Sequence, residues 1–484
     1  MPVFSLPSKY GIGTMGAEAK RFIDFLNEAG QKFWQILPLN PAGLGASPYQ
    51  SFAGMAGNPL FIDLDWLIEK GFLNAEQLSG LPAENNGAVN YAAVESSRKE
   101  LFKKAFTAFL NNTPPDFEAF KKDEEYWLKS YAVFMAAKEV FGDGGWQSWP
   151  NGLNNYNESA VNTFADTHRN TVEYYNFLQY VFFKQWQEIK EYANGKGVNI
   201  IGDMPIYVSL DSADVWANRG QFELDSAGNP PRVAGCPPDA FSEDGQKWGM
   251  PLYNYKKMAA EPAPYSWWRA RIKHAFRFCN YLRIDHFRGF ESYYAIPADA
   301  ENAKNGIWEK GPGEELFKYV KADLGKEANI IAEDLGTITP AVEGLLKATG
   351  FPGMKVLQFA FTPFAQSSYL PHNHTKNSVV YTGTHDNNTI IGWEKEDPAA
   401  ANFAKKYLGV QNGDSLNWVL IKAAMMSVAD ICIVPMADFM GLDETARINI
   451  PGTVSGNWVW RIDGGCINSW LAGIIRDTSI MYNR

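Results

Sequence analysis

Short apolar runs rich in β-branched and aromatic residues recur along the chain: 33–39, 58–64, 198–208, 281–287, 329–335, 355–361, 378–384 and 431–436. Each has the length of a strand buried on both faces, and eight is the number that a closed (β/α)8 barrel requires. Helical patterns separate most of them. Residues 17–29 place Phe22, Phe25 and Leu26 on one face, and residues 416–428 carry a similar stripe before the last run. Strand and helix in alternation imply parallel strands joined by crossover helices, an α/β architecture.

Two intervals are too long for a simple crossover. Residues 67–197 carry helical periods over 97–110, 117–140 and 171–193, which predicts an inserted, mainly helical subdomain. Residues 209–264 are rich in Gly, Pro, Asp and Trp and lack a sustained period, which predicts a long, structured substrate loop. No repeat, low-complexity tract or linker divides the chain, so residues 1–484 read as a single catalytic unit carrying two insertions.

Composition narrows the partners. Of 484 residues 46% are apolar and 20% charged, enough for an extensive core. A net charge of −10 disfavours nucleic acid and anionic membrane surfaces, and points to a neutral partner. The 16 Trp and 22 Tyr suit the C–H faces of sugars, although most rings in a large protein are core. Cys236, Cys279, Cys432 and Cys466 are far apart and show no zinc or disulfide spacing, the usage of a reducing compartment. The sequence shows no apolar stretch of membrane-spanning length and no signal pattern at its start, so a cytoplasmic protein is expected.

Chemistry gathers behind the strands. In a barrel the reactive groups stand at the carboxyl ends of the strands. Here Gly202-Asp203-Met204-Pro205, Arg283 to Gly289, Ala332 to Gly336 and Gly383 to Asn388 each follow an apolar run and each bring a carboxylate. Period-two alternation puts Arg283 and Asp285 on one face of a strand, with a guanidinium beside the carboxylate, as an anionic nucleophile needs. Glu333 shares its face with Ile331 and Leu335, an apolar setting that holds a carboxyl group protonated as a general acid. Asp334, its neighbour, competes for that role. One ionised and one protonated carboxyl group, about 5–5.5 Å apart, are the equipment of a retaining glycosidase-type reaction. Asp386 is a third carboxylate, suited to sugar hydroxyls and to an oxocarbenium-like transition state, with His385 beside it. An isolated acid at a strand end is as often a helix cap or a surface ion pair. Four such ends argue for a site.

Other motifs are set aside. No His-Glu-x-x-His is present, so no metal or other cofactor is expected; His286 and His385 suit neutral hydrogen-bonding roles, and His372 and His374 a solvated loop. Gly11-Ile12-Gly13-Thr14-Met15-Gly16 mimics a dinucleotide fingerprint but follows no strand, and predicts a tight turn before the first helix. Trp267-Trp268 and the rings from Tyr174 to Phe183 predict helix packing rather than a sugar platform.

Several longer runs carry a family likeness: Ser5 to Gly13, Ser47-Pro48-Tyr49-Gln50-Ser51, Gly202 to Ile206, Pro237 to Ser242, Arg283 to Gly289, Ala332 to Gly336, Thr382 to Asn387 and Asn457-Trp458-Val459-Trp460-Arg461. Together they resemble the 4-α-glucanotransferases, also called amylomaltase or disproportionating enzyme, from about Ser5 to Arg461. The resemblance implies a (β/α)8 TIM barrel with inserted subdomains and no separate C-terminal β-domain. It implies Asp285 as nucleophile, Glu333 as general acid/base and Asp386 as transition-state stabiliser. It further implies that Asp203, Arg283, His286 and His385 line the donor sugar, while Tyr49, Phe241, Trp248 and Asn457 bind the glucan. The implied substrates are α-1,4-glucans and maltooligosaccharides, with glucose or maltose as acceptor. Ala437 stands where the family commonly has Gln, and Ala240 where some members have an aromatic residue. Two other functions compete: an α-1,4-glucan hydrolase using the same groups with water, and a catalytically silent glucan-binding protein. Retention of all three carboxylates disfavours the last.

Overall fold

The computed structural model describes residues 1–79, 81, 87–238, 242–325, 328–361 and 367–484. In chain order the strands are β1 (Phe33–Gln35), β2 (Asn199–Met204), β3 (Arg232–Cys236), β4 (Gln246–Pro251), β5 (Tyr281–Ile284), β6 (Ser292–Pro297), β7 (Ile307–Lys310), β8 (Ile330–Ala332), β9 (Gly353–Val356), β10 (Ser378–Tyr381) and β11 (Ile431–Ile433). Seven of them form two parallel sheets, ordered β1-β2-β5-β8 and β11-β10-β9. Phe33, Ile201, Tyr281, Ile331, Met354, Val379 and Ile431 come from all seven strands and pack into one cluster between the sheets.

The eight-stranded closed barrel expected from the apolar runs is not present among the described residues: the seven strands remain two sheets. Residues 58–64 are the reason for the missing strand. Pro59–Phe61 is a 3-10 turn with Asn58 capping Leu60, and Asp63 caps a helix over Leu64–Glu69. Proline has no N–H to give a ladder. At either end of the run, backbone groups are taken by side chains of the long helix Arg169–Gly195: Gln179 bonds both N–H and C=O of Gly57, just before it, and Gln185 bonds both of Asp63. Where β8 and β9 meet, the N–H of Ala332 donates to Pro352 and the N–H of Met354 donates to the Asp334 carboxylate.

Helices occupy much of residues 67–197, among them Tyr91–Asn111, Glu125–Phe141 and Arg169–Gly195. Tyr174, Phe177, Phe182, Trp186 and Ile189 of the last are buried, and each such side chain contributes about 1.5–3 kcal/mol by leaving water. Trp267 and Trp268 are likewise buried on the helix Ser266–Phe278. Residues 209–264, expected as a loop without a period, contain β3 and β4. β3 pairs antiparallel with β4 and with β6, and β6 with β7, in a four-stranded sheet ordered β4-β3-β6-β7. Alternate exposure along β4 shows why: one face is open to solvent, so its side chains give no apolar run.

The glycine run 11–16 forms a turn into the first helix, Ala17–Glu28. A side chain at Gly13 would place its Cβ 1.9 Å from the carbonyl of Val3, so only glycine lets the chain pass. His374, expected in a solvated loop, is instead buried, with Nδ1 on Ser427 and Nε2 on the carbonyl of Tyr369; burial holds its pKa below the usual range. His372 is exposed and bonds Tyr407.

Candidate active site

Strand register builds the site. Asp203 on β2 lies opposite Arg283 on β5. The Arg283 guanidinium, only 3% exposed, therefore donates to both Asp203 oxygens, over 2.7 and 2.8 Å, and its other nitrogen lies 2.9 Å from Asp285. Burial works against that charge, but Asp203 and Asp285 outweigh it and hold the guanidinium protonated. Burial pushes Asp203 upward, Arg283 opposes the rise and Asp285 adds to it. The hydroxyl of Tyr49 donates to Asp203 over 2.7 Å, and its ring stacks on His385, with centroids 5.1 Å apart.

Beyond Asp285 the chain turns through His286, whose φ of 49° is left-handed and uncommon outside glycine. The turn aims the His286 N–H at Glu333 Oε2, 2.6 Å away, while the N–H of Leu335 donates to Oε1 over 2.8 Å. Burial first, and Asp285 second, push the Glu333 carboxyl up to about 8; Arg283 and the two N–H groups pull it down. Glu333 thus carries its proton at neutral pH. Asp334 faces the other way, into β9, where it accepts from Met354 over 2.6 Å. Of the two neighbours, Glu333 faces Asp285. The His286 ring packs edge-on against Trp248 of β4 at 5.0 Å, and its Nε2 is sealed from solvent without a partner. Burial depresses its pKa to about 4, so the ring is neutral.

Asp386 follows β10 with its carboxylate half exposed. Asn449 donates to it over 2.6 Å, Arg447 binds its carbonyl, and His385 Nε2 lies 3.4 Å away. A cavity lined by Gln35, Arg283, Tyr381, Thr384, His385 and Ala437 among others lies next to this cluster, and its lining includes none of Asp285, Glu333 and Asp386. The structure therefore brings together Tyr49, Asp203, Trp248, Arg283, Asp285, His286, Glu333, His385 and Asp386. Asn457 is placed differently: its amide is spent on Ile450 and Thr453, closing the loop that carries Asn449. Phe241 and Ala240 lie outside the described residues.

Sequence reasoning missed Asn449 and Arg447, which sit in the short alternating stretch Arg447-Ile448-Asn449-Ile450, a segment that forms neither helix nor strand. It also gave no separate role to Trp458, although the run containing it was singled out. Trp458 adopts φ 62° and packs against both Tyr49 and His385, at 5.7 and 5.8 Å. A bulky residue held in that conformation is costly, and such strain gathers at functional sites.

Comparison with known proteins places the chain in a family. The family model described as 4-alpha-glucanotransferase matches residues 1–467. The chain is 43% identical to the 4-alpha-glucanotransferase of Clostridium butyricum, over all of both chains. It is also 43% identical to that of Thermus thermophilus, covering 95% of this chain and 93% of the relative. The solved structure of amylomaltase from Streptococcus agalactiae, in complex with acarbose, superposes with a TM-score of 0.96 at 39% identity, covering 100% of this chain and 98% of that one. The chain is an enzyme of the 4-alpha-glucanotransferase family, glycoside hydrolase family 77.

Proposed function

We propose that this enzyme transfers a segment of an α-1,4-glucan or maltooligosaccharide to the 4-hydroxyl of an acceptor, glucose or maltose among them, by a retaining double displacement. One observation carries the reading: a carboxylate facing a buried guanidinium, Asp285, stands beside a carboxyl group that keeps its proton to about pH 8, Glu333. In the first half, an Asp285 oxygen attacks the anomeric carbon while the Glu333 proton passes to the glycosidic oxygen. The leaving chain departs with a free 4-hydroxyl, and the donor segment stays as an ester on Asp285. In the second half, the acceptor 4-hydroxyl gives its proton to the Glu333 carboxylate and attacks the same carbon, freeing Asp285. Two inversions restore the α configuration. The protons and electron pairs balance with the sugars and these two groups, so the scheme calls for no cofactor.

Asp386 has the role of supporting positive charge on the sugar ring, oriented by Asn449. Asp203, Arg283, His286 and His385 line the donor sugar. Tyr49, Trp248, Asn457 and Phe241 bind the glucan, Asn457 through the loop it closes. We read the two parallel sheets as arcs of one (β/α)8-type barrel, which their shared interior cluster supports. Residues 67–197 are then a helical insertion and 209–264 a substrate-loop insertion. Among the described residues no helix is long and apolar enough to cross a membrane. The thiols of Cys279, buried, and Cys432, half-buried, are pushed up to about 12 by their surroundings and stay protonated, and the four cysteines are free, which suits a reducing, cytoplasmic setting.

Incubation with maltotriose alone tests transfer. A ladder of longer maltooligosaccharides together with glucose is expected; maltose and glucose alone would move the assignment to hydrolysis.

A further inference from the structure

The turn that follows Asp285 carries a charged side chain that this scheme leaves idle. Arg288, in the 3-10 turn Phe287–Phe290, is 6% exposed. Its guanidinium lies over the ring of Trp308 on β7, 3.8 Å from the centroid, and its Nη1 donates to the carbonyl of Thr337. Its Nε is buried without a partner. Burying a guanidinium with a donor unsatisfied costs free energy, so the bond to Thr337 must secure something.

What it secures is the loop after Glu333. That loop is tied down at two points: Asp334 accepts from Met354, and Thr337 accepts from Arg288. Between the two ties, the N–H of Leu335 donates to Glu333 Oε1 over 2.8 Å. Gly336, at φ 82°, lets the chain turn back there but gives the loop no stiffness of its own. Without the far tie, the Leu335 N–H is directed by the Asp334 bond and by the packing of the Leu335 side chain alone. The same short turn reaches Glu333 from its other side through the His286 N–H.

We propose that Arg288 is a positioning residue for glucan transfer: it fastens Thr337 so that the Leu335 N–H stays aimed at Glu333, while Trp308 fixes the plane of the guanidinium. The inference rests on Glu333 being the proton donor of the reaction. The charged and titratable groups facing Glu333 are Arg283 from β5, Asp285 just after it, Tyr381 from β10 and Tyr369 before β10. Arg283 and the two N–H groups oppose burial and Asp285. Loss of the Leu335 donor leaves that opposition weaker, so Glu333 holds its proton to higher pH.

The test measures glucose release from maltotriose against pH for wild type, Arg288→Met, Arg288→Lys and Trp308→Ala. Arg288→Met should lower kcat about tenfold with little change in KM and move the alkaline limb upward by about half to one pH unit. Lysine keeps the charge but cannot lie flat on the ring, so Arg288→Lys should share most of the shift. Trp308→Ala should move the limb in the same direction by less. An unmoved limb in Arg288→Met, or its full restoration by lysine, overturns the proposal. Should Arg288→Met fail to fold, the Trp308→Ala profile decides, and an unmoved limb there also overturns it. Glu333→Gln, run in parallel, separates the two ideas: if it keeps wild-type turnover and the alkaline limb, the proton-donor assignment itself fails, whatever Arg288 does.

Discussion

The backbone N–H of His286 donates to Oε2 of Glu333 over 2.6 Å, so the residue next to Asp285 grips the other working carboxyl group. The proposed nucleophile and the proposed acid are thereby held by one turn of chain. The left-handed φ of His286 is what aims the bond.

Replacement of either group should stop the reaction without unfolding the protein. Asp285→Asn and Glu333→Gln are each expected to lower turnover on maltotriose by on the order of 10^4-fold or more, with unchanged circular dichroism. Asp285→Asn with more than a tenth of wild-type activity would remove it from the mechanism.

Protonation of Glu333 links activity and stability to pH. The acid is in its working form below about 8, so kcat/KM should fall as pH rises through that value. Its folded pKa is raised from 4.5, so between 4.5 and about 8 the folded state holds a proton that the unfolded state has released. Stability from this group is greatest below 4.5 and is lost as pH rises through the window. Glu333→Gln removes that dependence. Its melting temperature minus that of wild type should become more positive from about pH 5 to about pH 8. A pH-independent difference would show that Glu333 does not titrate in this range.

Asp334 should separate from Glu333 in the opposite sense. Asparagine retains an oxygen to accept from Met354, so Asp334→Asn is expected to keep activity within about tenfold of wild type, whereas Asp334→Ala should lose about 1–3 kcal/mol of stability. Denaturant melts and maltotriose assays distinguish the two. A loss in Asp334→Asn as deep as that in Glu333→Gln would reopen the choice between the neighbours.

Tyr49→Phe deletes the hydroxyl that donates to Asp203 over 2.7 Å and keeps the ring on His385. Asp203 is left buried with Arg283 as its remaining strong partner. We expect about 1–2 kcal/mol of lost stability and a weaker donor KM, read by denaturant melts and steady-state kinetics. Unchanged values for both would mean that solvent replaces the hydroxyl at no cost.

The local part of this site was legible from spacing. Arg283 and Asp285 are two residues apart on a strand, and backbone stereochemistry alone puts their side chains on one face. The same holds for the parallel strand and helix alternation and for the turn at Gly13. The fit to a family was legible too, since its motifs run nearly the whole chain. What the sequence left open were relations between distant segments: that Glu333 rather than Asp334 faces Asp285, that Tyr49 reaches Asp203, and that Asn449 holds Asp386.

The run at 58–64 marks the boundary most clearly. Its apolar residues suit a strand although Pro59 argues locally against one, and Gln179 and Gln185, on a helix far along the chain, bond the backbone at Gly57 and Asp63. His374 was misplaced for a similar reason, because a polar neighbourhood in sequence says nothing of Ser427 and Tyr369 closing over the ring. The sequence by itself determined the chemistry of the carboxylates and the elements that carry them, because those follow from side-chain type and backbone period. Only the tertiary structure decided which backbone groups pair, which acid is buried against which base, and which loop holds the site. Those outcomes depend on packing between segments that no local period connects.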